Sequence, residues 1–211
     1  MIAVPELQFE LPLWQSGQVF VAGLDEAGRG AWAGPVSAGA VILPADPEIR
    51  RRLSGVRDSK QMTPGQRERW AVEIRELALA WQVGFSTQEE IDAIGIVSAT
   101  RLAMRRALMG LSVIPQHLLI DALLLREEDL PQTALIKGDS RSLSIAAASV
   151  LAKVARDTLM VEQEESYPGY GFARHKGYGT RMHRAALENL GPCPLHRRSF
   201  RPIRGQFESA P

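Results

Sequence analysis

The segment Val19-Phe20-Val21-Ala22-Gly23-Leu24-Asp25-Glu26-Ala27-Gly28-Arg29-Gly30 opens with an apolar run of strand length, Val19 to Leu24, which two adjacent acids and then glycines cut off. Two carboxylates at a strand end, beside glycines that leave backbone amides accessible, are a poor arrangement for stability alone. A second apolar run, Val36 to Leu43, is bounded by Gly34-Pro35 and Pro44. Two strands joined by a tight turn are therefore expected.

Beyond this pair the pattern alternates. Thr63-Pro64 supplies an N-cap and a first-turn proline, and apolar residues at helical spacing through Trp70, Val72, Ile74 and Leu77 predict a helix to Leu79. A strand follows around Trp81 to Phe85. Ser86 or Thr87 caps a further helical region with Glu89 and Glu90 in its first turn, broken near Gly95 and resuming through Leu102, Met104 and Leu108. His117 to Ile120 reads as a strand ending in Asp121, and Thr133 to Ile136 as another ending in Lys137-Gly138-Asp139. Ser144 to Glu165 is an alanine-rich helix closed by Tyr167-Pro168, and Thr180 to Asn189 a shorter one. The tail after Ser199 reads as irregular. Strands followed by alternating helices and strands predict an α/β fold with a mixed sheet.

Asp25, Asp121 and Asp139 each stand at the end of a predicted strand, so the acids converge if those strands are neighbours. Any one Asp alone reads as a turn or cap residue; the repetition points to a site. Crowded carboxylates repel unless protonated, paired or neutralised by a cation, and hard oxygen donors suit Mg²⁺ or Mn²⁺. Two such ions about 4 Å apart would make phosphodiester hydrolysis the natural chemistry. Gly28, Gly30 and Gly34 are spaced one residue too widely for a dinucleotide fingerprint, and Asp25-Glu26 would repel a bare phosphate.

The chain has 211 residues, 45% of them hydrophobic, enough apolar material for one sizeable core. Its longest apolar stretches, Ala38 to Leu43 and Ile145 to Ala152, fall short of the roughly 20 residues that cross a bilayer. The first residues lack a signal-peptide pattern, so a cytoplasmic location is expected. Net charge is +1, yet from Gly171 onward eight Lys/Arg face two acids, and three of the four histidines lie there. Such a stretch suits a phosphate backbone, as it would a solvated surface. Cys193, between two prolines, lacks a disulfide partner and zinc-site spacing, and reads as structural. Composition and acids leave a nuclease acting on DNA alone, and a non-catalytic nucleic-acid-binding module, open as alternatives.

The chain resembles the ribonuclease HII family over roughly residues 19 to 200. The resemblance is carried in order by Gly23-Leu24-Asp25-Glu26-Ala27-Gly28-Arg29-Gly30, Asp58-Ser59-Lys60, Leu119-Ile120-Asp121, Lys137-Gly138-Asp139-Ser140, Ala147-Ala148-Ser149-Val150-Leu151-Ala152-Lys153-Val154-Ala155-Arg156-Asp157 and His175-Lys176-Gly177-Tyr178. It implies a ribonuclease H-like mixed sheet flanked by helices, with a helical C-terminal extension. It divides the chain into an N-terminal extension (1–18), a catalytic domain (19–200) and an irregular tail (201–211).

By the same resemblance Asp25, Glu26, Asp121 and Asp139 are the catalytic carboxylates, holding two Mg²⁺ or Mn²⁺ ions. Gly28, Arg29 and Gly30 would read the ribose 2′-hydroxyl, and Tyr178 would stack on the sugar next to the scissile phosphate. Lys60, Lys153, Arg156, Arg174 and Lys176 are candidates for phosphate contacts, while Asp157, beside Arg156 on the long helix, reads as an ion-pair partner. The implied substrates are RNA/DNA hybrids and duplex DNA with embedded ribonucleotides, with no membrane partner and a monomer expected. The related type HIII carries an extra N-terminal domain, for which the residues before Asp25 leave no room, so type HII is expected. One departure stands out. Family members usually have glycine after the strand-end aspartate, where this chain has Ala122.

Overall fold

A computed structural model of the chain describes residues 4–207. Its sheet has five strands, β1 (Val21–Ala27), β2 (Val36–Ile42), β3 (Ala80–Ser86), β4 (His117–Asp121) and β5 (Gln132–Leu135), in the order β3-β2-β1-β4-β5. β1 pairs antiparallel with β2 and β2 with β3, whereas β4 is parallel to β1 and β5 to β4. The mixed sheet is thus present, and the three acid-bearing segments are neighbours.

Helices cover both faces. α1 (Glu10–Gln15) and the short α2 (Ile49–Arg52) precede α3 (Pro64–Leu77), α4 (Gln88–Ile94), α5 (Ile96–Met109) and the long α6 (Leu143–Ser166). On one face Val41 and Leu43 meet Ala147 and Leu151 of α6 and Ile74 of α3. On the other, Leu24, Ile42 and Ile120 meet Ala103 and Met104 of α5. The starts at Thr63 and Thr87 follow the predicted caps, and Ser142 and Thr180, not singled out as caps in the sequence, serve the two later helices. Thr63 and Thr87 each close a reciprocal capping box, and Ser142 and Thr180 each accept a backbone N–H three residues on.

α6 lies unusually close to the sheet. A Cβ on Gly23 would fall 2.1 Å from the Ser144 carbonyl carbon, and one on Gly39 2.3 Å from the Ala148 oxygen. Glycine on the strands opposite Ala146, Ala147 and Ala148 on the helix lets the two backbones approach, which explains the alanine-rich sequence. The N-terminal end of α6 is further fixed by fully buried Glu10, whose Oε1 accepts from the Ser142 and Ser144 hydroxyls and the Ser144 N–H.

Three expectations are corrected. β1 continues through Asp25 and Glu26 to Ala27, because its backbone stays paired with β2 (Asp25 opposite Gly39, Glu26 opposite Ala38) whatever side chains it carries. The β1–β2 connection is no tight turn but the loop 28–35, which needs its length to pass around two buried arginines described below. The tail expected to be irregular forms α9 (Arg201–Phe207), because fully buried Ile203 completes an apolar cluster with Leu187, Leu195 and Met160. Residues 208–211 of that tail, and 1–3, lie outside the described residues. The helical C-terminal region also contains α7 (Phe172–His175) and α8 (Arg181–Leu190), packed on Trp32 and Ala33 of the loop. No helix among the described residues is long and apolar enough to cross a membrane.

Candidate active site

The parallel ladder sets Leu24 beside Ile120, so the next residues, Asp25 and Asp121, leave adjacent strands side by side. Strand periodicity turns Asp25 to the same face as Gly23, toward α6. Carboxylate oxygens of Asp25, Glu26 and Asp121 lie within 4.8 Å of one another. Asp139 follows β5 on a single 3₁₀ turn, Gly138–Ser140, entered through Lys137 in the left-handed region (φ 54°). It stands outside that tight triplet, but its charge acts on both Asp25 and Asp121.

The burial of these acids is costly. Asp25 is 2% exposed, and its carboxyl is pushed well above the usual range by burial and then by the charges of Glu26, Asp121 and Asp139, with the nearby Ser149 hydroxyl pulling the other way. Burial likewise raises Glu26, with the Arg29 guanidinium pulling the other way, and burial and Asp139 raise Asp121. Asp25 Oδ1 accepts the Glu26 N–H at 2.7 Å and Asp121 Oδ1 the Gly138 N–H at 2.6 Å. Asp25 Oδ2 and Glu26 Oε2 are buried with no hydrogen-bond partner. Two orphaned carboxylate oxygens in a cluster of like charge are what a hard divalent cation would satisfy, so the donor set fits such an ion.

Two side-chain cations occupy the rim. Arg29 Nη1 donates to Glu26 Oε1 at 3.1 Å, and Lys60 Nζ to Asp139 Oδ2 at 3.3 Å. Burial works against the Lys60 charge, but Asp25, Asp139 and Asp58 together hold the ammonium above its ordinary value. Lys60 is therefore tied to the acids as well as open to solvent. Ala122, directly after Asp121, adopts φ 53°, a left-handed conformation that its methyl group disfavours and that the Ala122 N–H to Leu135 O bond of 3.0 Å maintains.

A groove of about 320 Å³, whose lining includes none of the four acids, is bounded among others by Arg67, Lys153, Arg174, Lys176 and Tyr178. Tyr178 pairs with Ala31 through an isolated bridge, which brings it beside the Gly28-Arg29-Gly30 turn, and Lys153 Nζ sits 5.2 Å from its ring centre. Lys153 also donates to Asp157 at 2.6 Å, and Arg67 approaches Asp157 at 3.7 Å, so Asp157 is an ion-pair partner as expected. Lys176 donates to the Ala173 carbonyl. Arg174 is exposed.

Arg156 is a correction. It is fully buried and donates to the carbonyls of Ala33, Pro35 and Lys176, so no phosphate reaches it. Its side chain fills the space beneath Gly28, where a Cβ would strike the guanidinium at 2.0 Å.

Sequence reasoning missed the partners behind the turn. Arg197 is fully buried against the loop 28–35, and burial and Arg156 lower its pKa to about 9. His183 and His196 are also buried. The Cys193 N–H donates to His196 Nδ1 at 2.9 Å, so His196 Nε2 carries the proton and donates to His183 Nε2 at 3.0 Å. His183 Nδ1–H then donates to the Tyr178 carbonyl at 3.0 Å. Arg197 and the histidines of the C-terminal stretch are thus interior scaffold for Tyr178 and the turn, while six of the eight Lys/Arg there stay exposed. No local signal could have found these residues, since the loop carbonyls lie more than 160 positions from Arg197.

Comparison with known proteins agrees with this geometry. A family model described as Ribonuclease HII matches residues 22–203. A ribonuclease HII of Synechococcus sp. (strain JA-3-3Ab) is 55% identical over 205 residues, covering 96% of this chain and 91% of that protein. One from Chloroflexus aurantiacus is 53% identical over 203 residues and covers 95% of each. Among solved structures, the ribonuclease H2 from Pyrococcus horikoshii OT3 superposes with a TM-score of 0.72 at 29% identity, covering 89% of this chain and 97% of that one.

Proposed function

Since this chain belongs to the ribonuclease HII family and is therefore a ribonuclease H, we propose that it hydrolyses the phosphodiester on the 5′ side of a ribonucleotide, in RNA/DNA hybrids and in duplex DNA with embedded ribonucleotides. The products carry 3′-hydroxyl and 5′-phosphate ends, and the cellular role is removal of misincorporated ribonucleotides in the cytoplasm. The observation that carries this reading is the pair of orphaned buried oxygens, Asp25 Oδ2 and Glu26 Oε2, within one cluster of three carboxylates.

In this reading Asp25, Glu26, Asp121 and Asp139 hold two divalent ions, Mg²⁺ or Mn²⁺. When bound, the ions lower the pKa of an attacking water and neutralise charge on the phosphate and the departing 3′ oxygen. The chain's own residues do the rest. Gly28, Arg29 and Gly30 bring backbone against the ribose, where the 2′-hydroxyl distinguishes RNA from DNA. Tyr178, held by Ala31 on one side and His183 on the other, offers its ring to the neighbouring sugar. Lys60, Lys153 and Lys176 are assigned to the duplex backbone, fixing its position without reading sequence. Lys60 and Arg29 also neutralise the acids until cations arrive.

The test is cleavage of an end-labelled DNA duplex containing one ribonucleotide, with and without Mg²⁺ or Mn²⁺, beside an identical all-DNA duplex. A metal-dependent nick 5′ to the ribonucleotide alone is expected. Cutting of both duplexes would mark a general nuclease, and binding without cutting a recognition module.

A further inference from the structure

Arg197 makes an unusual set of bonds. Nε donates to Gly34 O at 2.9 Å, Nη1 to Arg29 O at 2.9 Å, and Nη2 to Gly28 O at 2.8 Å and Pro35 O at 3.1 Å. All four acceptors belong to the loop that carries the turn. The Phe200 ring lies 5.0 Å from the guanidinium carbon and covers it. No ion pair joins Arg197 to a carboxylate among the described residues.

The peptide bonds described are all trans, so the carbonyl of one residue and the N–H of the next point in opposite directions. Drawing the Gly28 and Arg29 carbonyls inward onto Arg197 therefore turns the Arg29 and Gly30 N–H groups outward. Among the described residues neither N–H has an acceptor, whereas the next one, Ala31 N–H, is used within the turn by Gly28 O at 3.2 Å. Gly30 is exposed, with nothing near the position a Cβ would take. A charged donor on a carbonyl also polarises the peptide and strengthens its N–H as a donor.

We propose that Arg197 is a positioning residue for ribose recognition: its fork orients and polarises two peptide groups so that the Arg29 and Gly30 N–H donors face the oxygen of the 2′-hydroxyl. The inference rests on the reading of Gly28-Arg29-Gly30 as the ribose-sensing turn, and it locates the cause of that specificity on the far side of the chain. Lysine keeps the charge but cannot bridge four carbonyls, so Arg197→Lys separates orientation from charge.

The experiment measures kcat and KM on the single-ribonucleotide duplex, and Kd for the all-DNA duplex of the same sequence, for the unaltered chain and R197K. For R197K, kcat/KM falls about tenfold or more, the worth of one lost or misaligned hydrogen bond, while the all-DNA Kd stays within about twofold. Unchanged kcat/KM in a folded R197K protein overturns the proposal, because charge alone then suffices. An equal loss on both duplexes also overturns it, since the N–H pair would then be holding a phosphate common to both. If the unaltered chain does not distinguish the two duplexes, the ribose-sensing reading itself falls, and that arm needs no variant. Should R197K fail to fold, amide resonances of the unaltered, metal-free chain decide. Shifts of Arg29 and Gly30 on adding the ribonucleotide duplex but not the all-DNA duplex support the proposal, and identical responses overturn it.

Discussion

In the proposed reading Asp25 serves catalysis at a cost in stability. Its folded pKa lies above the ordinary 3.8, so at neutral pH the ionised form is harder to hold in the folded chain than in the unfolded one. Asp25→Asn removes that charge from the cluster. In the absence of metal the variant should melt above the unaltered chain at pH 7, while cleavage falls at least about 10³-fold with duplex binding largely kept. A thermal melt and a cleavage assay on one preparation check both, and retained turnover would refute the assigned role. Ala122 makes the opposite case, a residue that strains the backbone with no polar group to contribute. Ala122→Gly keeps the left-handed turn without its methyl, so a gain of about 1 kcal/mol in denaturant unfolding is expected. The residue types were legible here: the four acids, the glycines of the turn and the departure at position 122 all stand in the sequence.

At the scale of elements, strands and long helices could be read because their signals are local. Thr63, Thr87, Ser142 and Thr180 cap the helices they precede. α9 could not, because what makes it a helix is the cluster around Ile203, assembled from segments far apart in sequence. α8 carries a testable device of the same kind. His183 and His196 have their pKa values lowered to about 4, first by burial, then for His183 by His175 and His196 and for His196 by His175. Both are neutral in the folded chain above that value, whereas in the unfolded chain they take up protons below about 6.5. Their contribution is therefore complete above pH 6.5 and lost as pH falls toward 4. Unfolding of the unaltered chain and of His196→Gln across that range should show the unaltered chain losing more stability. Parallel curves would place the titration elsewhere.

For the whole molecule, a net charge of +1 leaves little long-range attraction to nucleic acid, so under the proposed reading affinity rests on locally placed cations. Arg174, exposed on the rim of the groove, is the clearest probe. Arg174→Ala should weaken ribonucleotide-containing and all-DNA duplexes alike and reduce the slope of log K against log salt by about 1, as read by fluorescence anisotropy across a salt series. A change in the ribonucleotide preference would instead move Arg174 from positioning to recognition. The chain's sequence by itself determined the α/β alternation, the helix caps and the identity of the acids, because periodicity, capping and the chemistry of carboxylates act over a few neighbouring residues. Only the tertiary structure decided that Arg156 and Arg197 lie inside the protein rather than on phosphate, that Lys60 reaches Asp139, and that the C-terminal histidines brace Tyr178. These follow from burial and from contacts that only folding makes, with separations from 5 residues for His183 and Tyr178 to 79 for Lys60 and Asp139 and over 160 for Arg197 and its loop, and a side chain's exposure is set by what the rest of the chain folds against it.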